Sequence, residues 1–166
     1  MVNFIEMTDD EFQRWKDRAI VEYFSERVKA GNEDLGPEAS RREFESLLPQ
    51  GRRTKNHHVY FIADENEKDR KVGIVWYATE AENQPKGTIF IYDIEVEEGL
   101  RGRGYGRATL GLLEDRAKEM GVRRIALHVF GHNVRARKLY EDSGYRATNV
   151  IMAKELSPAH GAGSGI

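Results

Sequence analysis

The chain has 166 residues, 39% hydrophobic and 33% charged, with no cysteine and a formal net charge of −2 at pH 7. A chain of this size and composition reads as one globular domain that needs no staples to fold, and the missing cysteines exclude disulfides, thiolate metal sites and cysteine nucleophiles. No window reaches the ~20 apolar residues of a membrane span, the acidic start from Met1 to Glu11 lacks the apolar core of a signal peptide, and a mildly negative chain argues against a general nucleic-acid or membrane binder. The expected compartment is the cytoplasm, with a monomer or a homodimer both compatible. The five histidines are scattered without ligand spacing, so no metal is expected.

In chain order, Val2 to Glu6 reads as a short strand, and Thr8-Asp9-Asp10-Glu11 is a capping box that opens a helix. Phe12, Trp15, Ala19, Tyr23 and Val28 follow near helical spacing, with Gly31-Asn32 as the stop. A second helix is predicted from Pro37 to about Leu48, turning Phe44, Leu47 and Leu48 inward and ending at Pro49-Gln50-Gly51. Three runs rich in β-branched and aromatic residues then predict a meander of strands: His58 to Ala63, Lys71 to Thr79 and Thr88 to Val96.

The stretch GLRGRGYGRATLGLL, Gly99 to Leu113, comes next, and Leu110, Leu113, Ala117 and Met120 mark one face of a helix that Gly121 closes. Arg124 to Phe130 predicts a strand, Asn133 to Ser143 a helix with Ala136, Leu139 and Tyr140 on one face, and Tyr145 to Glu155 a last strand. Residues 1–156 form a single expected domain, and the tail SPAHGAGSGI, 157–166, has the composition of a disordered segment. The order β, α, α, β meander, α, β, α, β predicts a mixed α/β domain with an antiparallel half and a βαβ crossover half, whose ligand binds beyond the strand ends.

At the hand-over from strand to helix, Gly102, Gly104 and Gly106 alternate with Arg101, Arg103, Tyr105 and Arg107. Glycines there let backbone N–H groups turn toward one point, and the helix start adds free donors and partial positive charge, so the stretch suits a phosphate. The plain alternative is a tight connection with solvated arginines. The P-loop pattern GxxxxGK followed by Ser or Thr is absent, and the three glycines miss the GxGxxG spacing of a dinucleotide fold.

Arg101-Gly102-Arg103-Gly104-Tyr105-Gly106 resembles the Arg/Gln-x-x-Gly-x-Gly/Ala signature of the GNAT superfamily of N-acetyltransferases. The resemblance extends over DIEVEEGLRGRGYGRATLGLL and RIALHVFGHNVRARKLYEDSGY, covering Lys71 to Leu156, while the N-terminal part matches only in its layout of elements. One departure is Glu98, where many members carry proline. The resemblance implies a central mixed, mostly antiparallel sheet with flanking helices and a splayed parallel strand pair, and acetyl-coenzyme A as cosubstrate. It implies that the pantetheine arm pairs with Ile94, Glu95 and Val96, that the pyrophosphate sits on main-chain donors from Arg101 to Arg107, and that Asn133 contacts the cofactor. For Asn133 a simple helix cap is the other reading.

The implied reaction moves the acetyl group to a primary amine by direct attack in a ternary complex. An amine of pKa ~10.4 is mostly protonated at neutral pH, so a base or a water chain must take its proton, and the departing thiolate needs one back. Tyr140 matches the tyrosine that the family often uses as that acid. For the base, Glu95 and Asp93 share one strand face, and His128 stands where some members carry a glutamate. A strand N–H, that of Val96, is the expected oxyanion donor. The acceptor is a small-molecule or peptide amine, with no nucleic acid. The long basic connection Gly51 to His58 either is a solvated loop or gates that acceptor. Two other readings remain at this point: an acyl-coenzyme A sensor without turnover, and an RNA-binding module built on RGRGYGR.

Overall fold

A computed structural model of the chain describes residues 1–31, 36–82 and 84–156. The tail 157–166 and Asn32 of the expected first-helix stop lie outside the described residues.

Strand β1 (Val2–Glu6) leads into helix α1 (Asp9–Lys29) through the expected capping box. The Glu11 N–H donates to the Thr8 hydroxyl at 3.2 Å and the Thr8 N–H donates to the Glu11 carboxylate at 2.9 Å, so two otherwise orphaned donors are satisfied. α1 buries Phe12, Trp15, Ala19 and Ile20, and helix α2 (Gly36–Leu47) buries Phe44 beside them. The meander follows as β2 (His57–Asp64), β3 (Arg70–Ala78) and β4 (Thr88–Val96), then helix α3 (Tyr105–Glu119), strand β5 (Arg124–Leu127) and helix α4 (Val134–Asp142).

The five strands form one sheet in sequence order, antiparallel from β1 to β4 and parallel between β4 and β5. Helices cover both faces, which is why β3 reads as a continuous apolar run instead of an alternating one. Ile74 and Trp76 of β3 face α1 and α2, where the Trp76 ring lies 5.6 Å from Trp15 and 5.2 Å from Phe44. Val75 and Tyr77 face the other way, into a core that Leu110, Leu113 and Ala117 of α3 complete.

One irregularity shapes the molecule. Trp76 pairs with Asp93 and Tyr77 with Ile91, so Tyr92 is an extra residue on β4. Such a bulge bends its strand and increases the local twist. It falls one residue beyond the last β4–β5 pair, Ile91 with Leu127. Beyond that pair the two strands part.

Three expectations need correction. The strand predicted over Arg124 to Phe130 ends at Leu127, because the chain after it turns toward α1: the Phe130 ring lies 6.1 Å from Tyr23, and His132 Nε2 lies 2.6 Å from Glu26. Met120 is 56% exposed instead of facing the core, since it falls past the last turn of α3. The closing strand predicted over Tyr145 to Glu155 does not form, the segment having no sheet pairing, and Arg146 to Leu156 is exposed throughout. Strand-forming residues become a strand only when paired to a partner edge, and among the described residues this segment pairs with none.

At Gly73 β3 lies close against the end of β4, and a Cβ there would collide with the Glu95 carbonyl oxygen, a backbone atom that cannot swing away. Gly73→Ala is expected to lower stability by about 1–3 kcal/mol, the usual cost of overpacking. A urea unfolding curve superimposable on that of the parent protein would contradict this reading of the strand pair.

Candidate active site

The parting of β4 from β5 leaves Tyr92 to Val96 with sheet neighbours on one side only. The Glu95 carbonyl faces Gly73 of β3, and the Glu97 N–H donates to the Val72 carbonyl at 3.0 Å. Backbone groups alternate sides along a strand, so the N–H and C=O groups of Ile94 and Val96 turn to the opposite edge, into the gap. Arg101 Nε donates to the Val96 carbonyl at 2.9 Å, tying the glycine-rich loop to the strand end. A 3₁₀ turn over Glu98–Leu100 buries Leu100 at 5% exposure, so the loop is pinned although Glu98 replaces the proline of many relatives.

Gly102 and Gly104 take φ of +80° and +89°, the left-handed region that a side chain resists, and a Cβ on either would meet nothing within 4 Å. Backbone conformation demands these two glycines, and the space in front of them is free. Gly106 has a different reason: a Cβ there would come 2.9 Å from Leu139 Cδ2, so its absence lets α3 lie close against α4. The Ala108 N–H donates to the Gly104 carbonyl at 2.9 Å as the first helical bond of α3, and no side chain caps the helix start. The N–H groups of Tyr105, Gly106 and Arg107 are therefore left without an intrahelical partner, with the positive end of the helix dipole behind them.

Around them, Arg101, Arg103 and Arg107 are exposed. Arg107 lies 4.0 Å from Asp142. Tyr105 has its hydroxyl engaged, donating to Asp64 Oδ2 at 2.7 Å, a bond that raises the phenol pKa and lowers that of the carboxyl. Asn133 caps α4, its Oδ1 accepting from the Ala136 N–H at 3.1 Å.

Titratable groups collect along the gap. Burial pushes the Tyr140 hydroxyl up to about 12, and the charge of Asp93 adds to the shift. Asp93 itself is raised to about 7 by burial and by the negative charges of Glu95 and Glu22, against the opposing pull of Arg18. Arg18 donates to Glu95 at 2.7 Å and lies 3.4 Å from Glu22. Asp93 thus acts on Tyr140, and Glu95 acts on Asp93. His128 is exposed and packs edge-on against Phe130 with centroids 5.0 Å apart, and among the described residues no hydrogen bond joins it to that group.

Sequence reasoning missed Arg18 and Glu22. Their helical i,i+4 spacing was visible, but nothing local signals that α1 sets them beside a strand residue 77 positions away. The basic loop after α2 is tied down, with Arg52 and Arg53 both bonded to Asp9, and it lines a shallow cavity of about 290 Å³ beside the start of α1. Among the described residues no group of three or more His, Asp or Glu side chains is placed to hold a metal ion, and no helix is long and apolar enough to cross a membrane.

Residues 13–145 match the model of the acetyltransferase (GNAT) family. The N-acetyltransferase YycN of Bacillus subtilis is 41% identical over 153 residues, spanning 90% of this chain and 96% of YycN. YdgE of the same organism, also an N-acetyltransferase by name, is 33% identical over 153 residues, spanning 91% of this chain and 96% of YdgE. The crystal structure of YycN superposes with a TM-score of 0.85 at 38% identity, over 95% of this chain and 100% of that one. The fold is shared with AAC(6')-Iy, solved in complex with the bisubstrate analog CoA-S-monomethyl-acetylneamine, at a TM-score of 0.57 and 13% identity over 95% of this chain and 99% of the other. A strand that breaks from its parallel neighbour beside an uncapped helix start, carried by a chain that matches the family from residue 13 to residue 145, makes this protein a member of the GNAT acetyltransferase family.

Proposed function

We propose that the protein moves the acetyl group of acetyl-coenzyme A onto a primary amine by direct attack, with both substrates meeting in the gap between β4 and β5. The observation that carries this reading is the placement of free donors. Backbone groups of Ile94 and Val96 that have no strand partner line the gap, and the N–H groups of Tyr105 to Arg107 open beside it. A ligand suited to both must be an extended amide chain ending in phosphates. Coenzyme A is such a molecule, and the open space in front of Gly102 and Gly104 admits its pyrophosphate.

In this scheme Arg101, Arg103 and Arg107 add positive charge around the phosphates, while Arg101 also fixes the loop through Val96. Ile94, Glu95 and Val96 supply the strand that pairs with the pantetheine arm. The Val96 N–H donates to the carbonyl oxygen as negative charge builds on it. The Asn133 carboxamide is engaged as the cap of α4, so its contribution to the cofactor would run through the NH₂ group left over.

Acetyl-coenzyme A supplies a thioester whose carbon forms a bond to nitrogen while its bond to sulfur breaks. The carboxylates of Asp93, Glu95 and Glu22 favour a cationic amine in the gap. Asp93 takes the proton that frees the nitrogen lone pair, because a carboxyl poised at about 7 is a far better acceptor at neutral pH than an ordinary one. His128 is left without this role by its exposure.

Tyr140, buried and beside the charge of Asp93, serves in this scheme as the acid at the sulfur. With a hydroxyl at about 12, full transfer to a thiolate of ordinary thiol pKa, ~8.5, is uphill by about 5 kcal/mol. The phenol therefore acts as a hydrogen-bond donor whose proton passes as the carbon–sulfur bond breaks, not ahead of it.

The test is acetyl transfer by the pure protein to a panel of small amines, peptides and proteins. Tyr140→Phe is expected to lower kcat by about a hundredfold with coenzyme A affinity nearly unchanged. Inactivity of the parent protein on every acceptor, together with saturable cofactor binding, would turn the reading into that of a sensor. Asp93 is protonated below pH 7 and a carboxylate above it, so kcat/KM should fall as pH drops through about 7. Asp93→Asn should abolish that limb while leaving the one set by the amine. An unchanged limb in Asp93→Asn would remove Asp93 from the mechanism.

A further inference from the structure

Asp93 and Glu95 stand directly opposite Trp76 and Ile74 of β3. Directly opposed residues share a face of a sheet, and Trp76 and Ile74 belong to the core beneath α1 and α2. The two carboxylates therefore point toward α1, and α1 answers with a cation. Arg18 donates to Glu95 at 2.7 Å and lies 3.4 Å from Glu22. Burial and the charge of Glu95 raise the pKa of Glu22, while Arg18 and Arg101 oppose them. Arg18 is also the cation that works against the rise at Asp93, whose other neighbours are Glu95, Glu22 and the Tyr140 hydroxyl.

The head of Arg18 thus occupies the place where the function proposed above puts a cationic amine. The grip on it is weak. The Arg18 side chain is 49% exposed, and its partners Glu95 and Glu22 are 28% and 54% exposed. Ion pairs this open to water hold by little, so the two together favour the bound head by about tenfold at most. Trp15 and Ala19, buried on either side in the sequence, fix the backbone of α1 here and leave the long Arg18 side chain free to swing out. A guanidinium also suits the task chemically. It carries the charge of the acceptor, yet it stays protonated and has no free lone pair, so it does not take the acetyl group itself. A lysine at this position would offer the thioester an amine.

We propose that Arg18 is a specificity-determining residue that holds the acceptor's place: an entering alkylammonium ion displaces its head from Glu95 and Glu22, one cation for another. The inference rests on the function proposed above, because the cation whose place is kept is the acceptor amine. The exchange sets a threshold, since only a cation that gains more than Arg18 loses can enter. It also resets the base. Once Asp93 has taken one proton of the ammonium and the neutral amide has left, Arg18 returns to Glu95, and its charge favours release of that proton from Asp93 to water.

The experiment follows two NMR signals in the full chain, the Nε–H of Arg18 and the carboxyl carbon of Asp93, as n-butylammonium chloride is added. Tetramethylammonium chloride, whose cation has no N–H to donate, is the control. Butylammonium is expected to shift the Arg18 signal saturably at concentrations where the control leaves it unmoved. Arg18→Gln should bind butylammonium about tenfold more tightly, since the resident competitor is gone. It should also move the titration midpoint of Asp93 upward from about 7, because the opposing charge is lost. Arg18→Lys should bring both back toward the parent values, which a merely structural arginine would not require. An Arg18 signal that answers both salts alike, an Arg18→Gln affinity no tighter than the parent's, or an unmoved Asp93 midpoint would each overturn the inference. Neither signal depends on acetyl transfer. A protein that shows the exchange and acetylates no amine keeps Arg18 as a displaceable occupant and loses the proposed reaction, whereas one that acetylates amines without the exchange loses this inference alone.

Discussion

The architecture turns on a row of backbone hydrogen bonds that β4 does not make. From Tyr92 to Val96 the strand has β3 on one side and no strand on the other. Leaving buried N–H and C=O groups unpaired costs on the order of 1–3 kcal/mol each, so a protein keeps such an edge only where something else fills it. The strand is held in place from behind: Gly73 lets β3 approach, Val72 accepts from the Glu97 N–H, and Arg101 bridges back to Val96. The bulge at Tyr92 redirects β4, and the contacts of Phe130 and His132 with α1 draw the other strand away. Two cores, one on each face of the sheet, keep the frame rigid while the gap stays open.

Charge is arranged along that gap in two zones. The α3 start, with its free N–H groups and arginines, is positive, whereas the group formed by Asp93, Glu95 and Glu22 is negative apart from Arg18. Under the proposed function, a polyanion and a cation reach the same place without competing for it. The cluster also depends on α1, because Arg18 steadies Glu95 and limits how far the negative charges raise Asp93. That a helix from the N-terminal half takes part fits a chain whose N-terminal sequence resembles its family in layout more than in motif.

Much of this was legible in the residues. The capping box at Thr8, the three strands of the meander and the α3 periodicity carry their signals locally, and the elements formed where those signals sit. Spacing alone left the loop undecided between a phosphate site and a plain turn. The family resemblance supplied the fold and named candidate site residues, and the uncapped helix start and left-handed glycines are the physical features found at those positions. What escaped were effects of the tertiary environment. The end of β5 is set by aromatic contacts with a helix more than a hundred residues earlier. The poise of Asp93 comes from burial and from neighbours on α1. The last strand failed because propensity names residues fit for a sheet without naming the edge they join.

The central claim, that one ligand spans the unpaired edge of β4 and the start of α3, is tested most directly by titrating coenzyme A into the isotope-labelled protein and following backbone amides by NMR. The account predicts saturable shifts that are largest at Ile94, Val96 and Gly102 to Arg107. Shifts confined to the basic cavity at Gly51 to Arg53, with the strand edge and helix start unmoved, would contradict it.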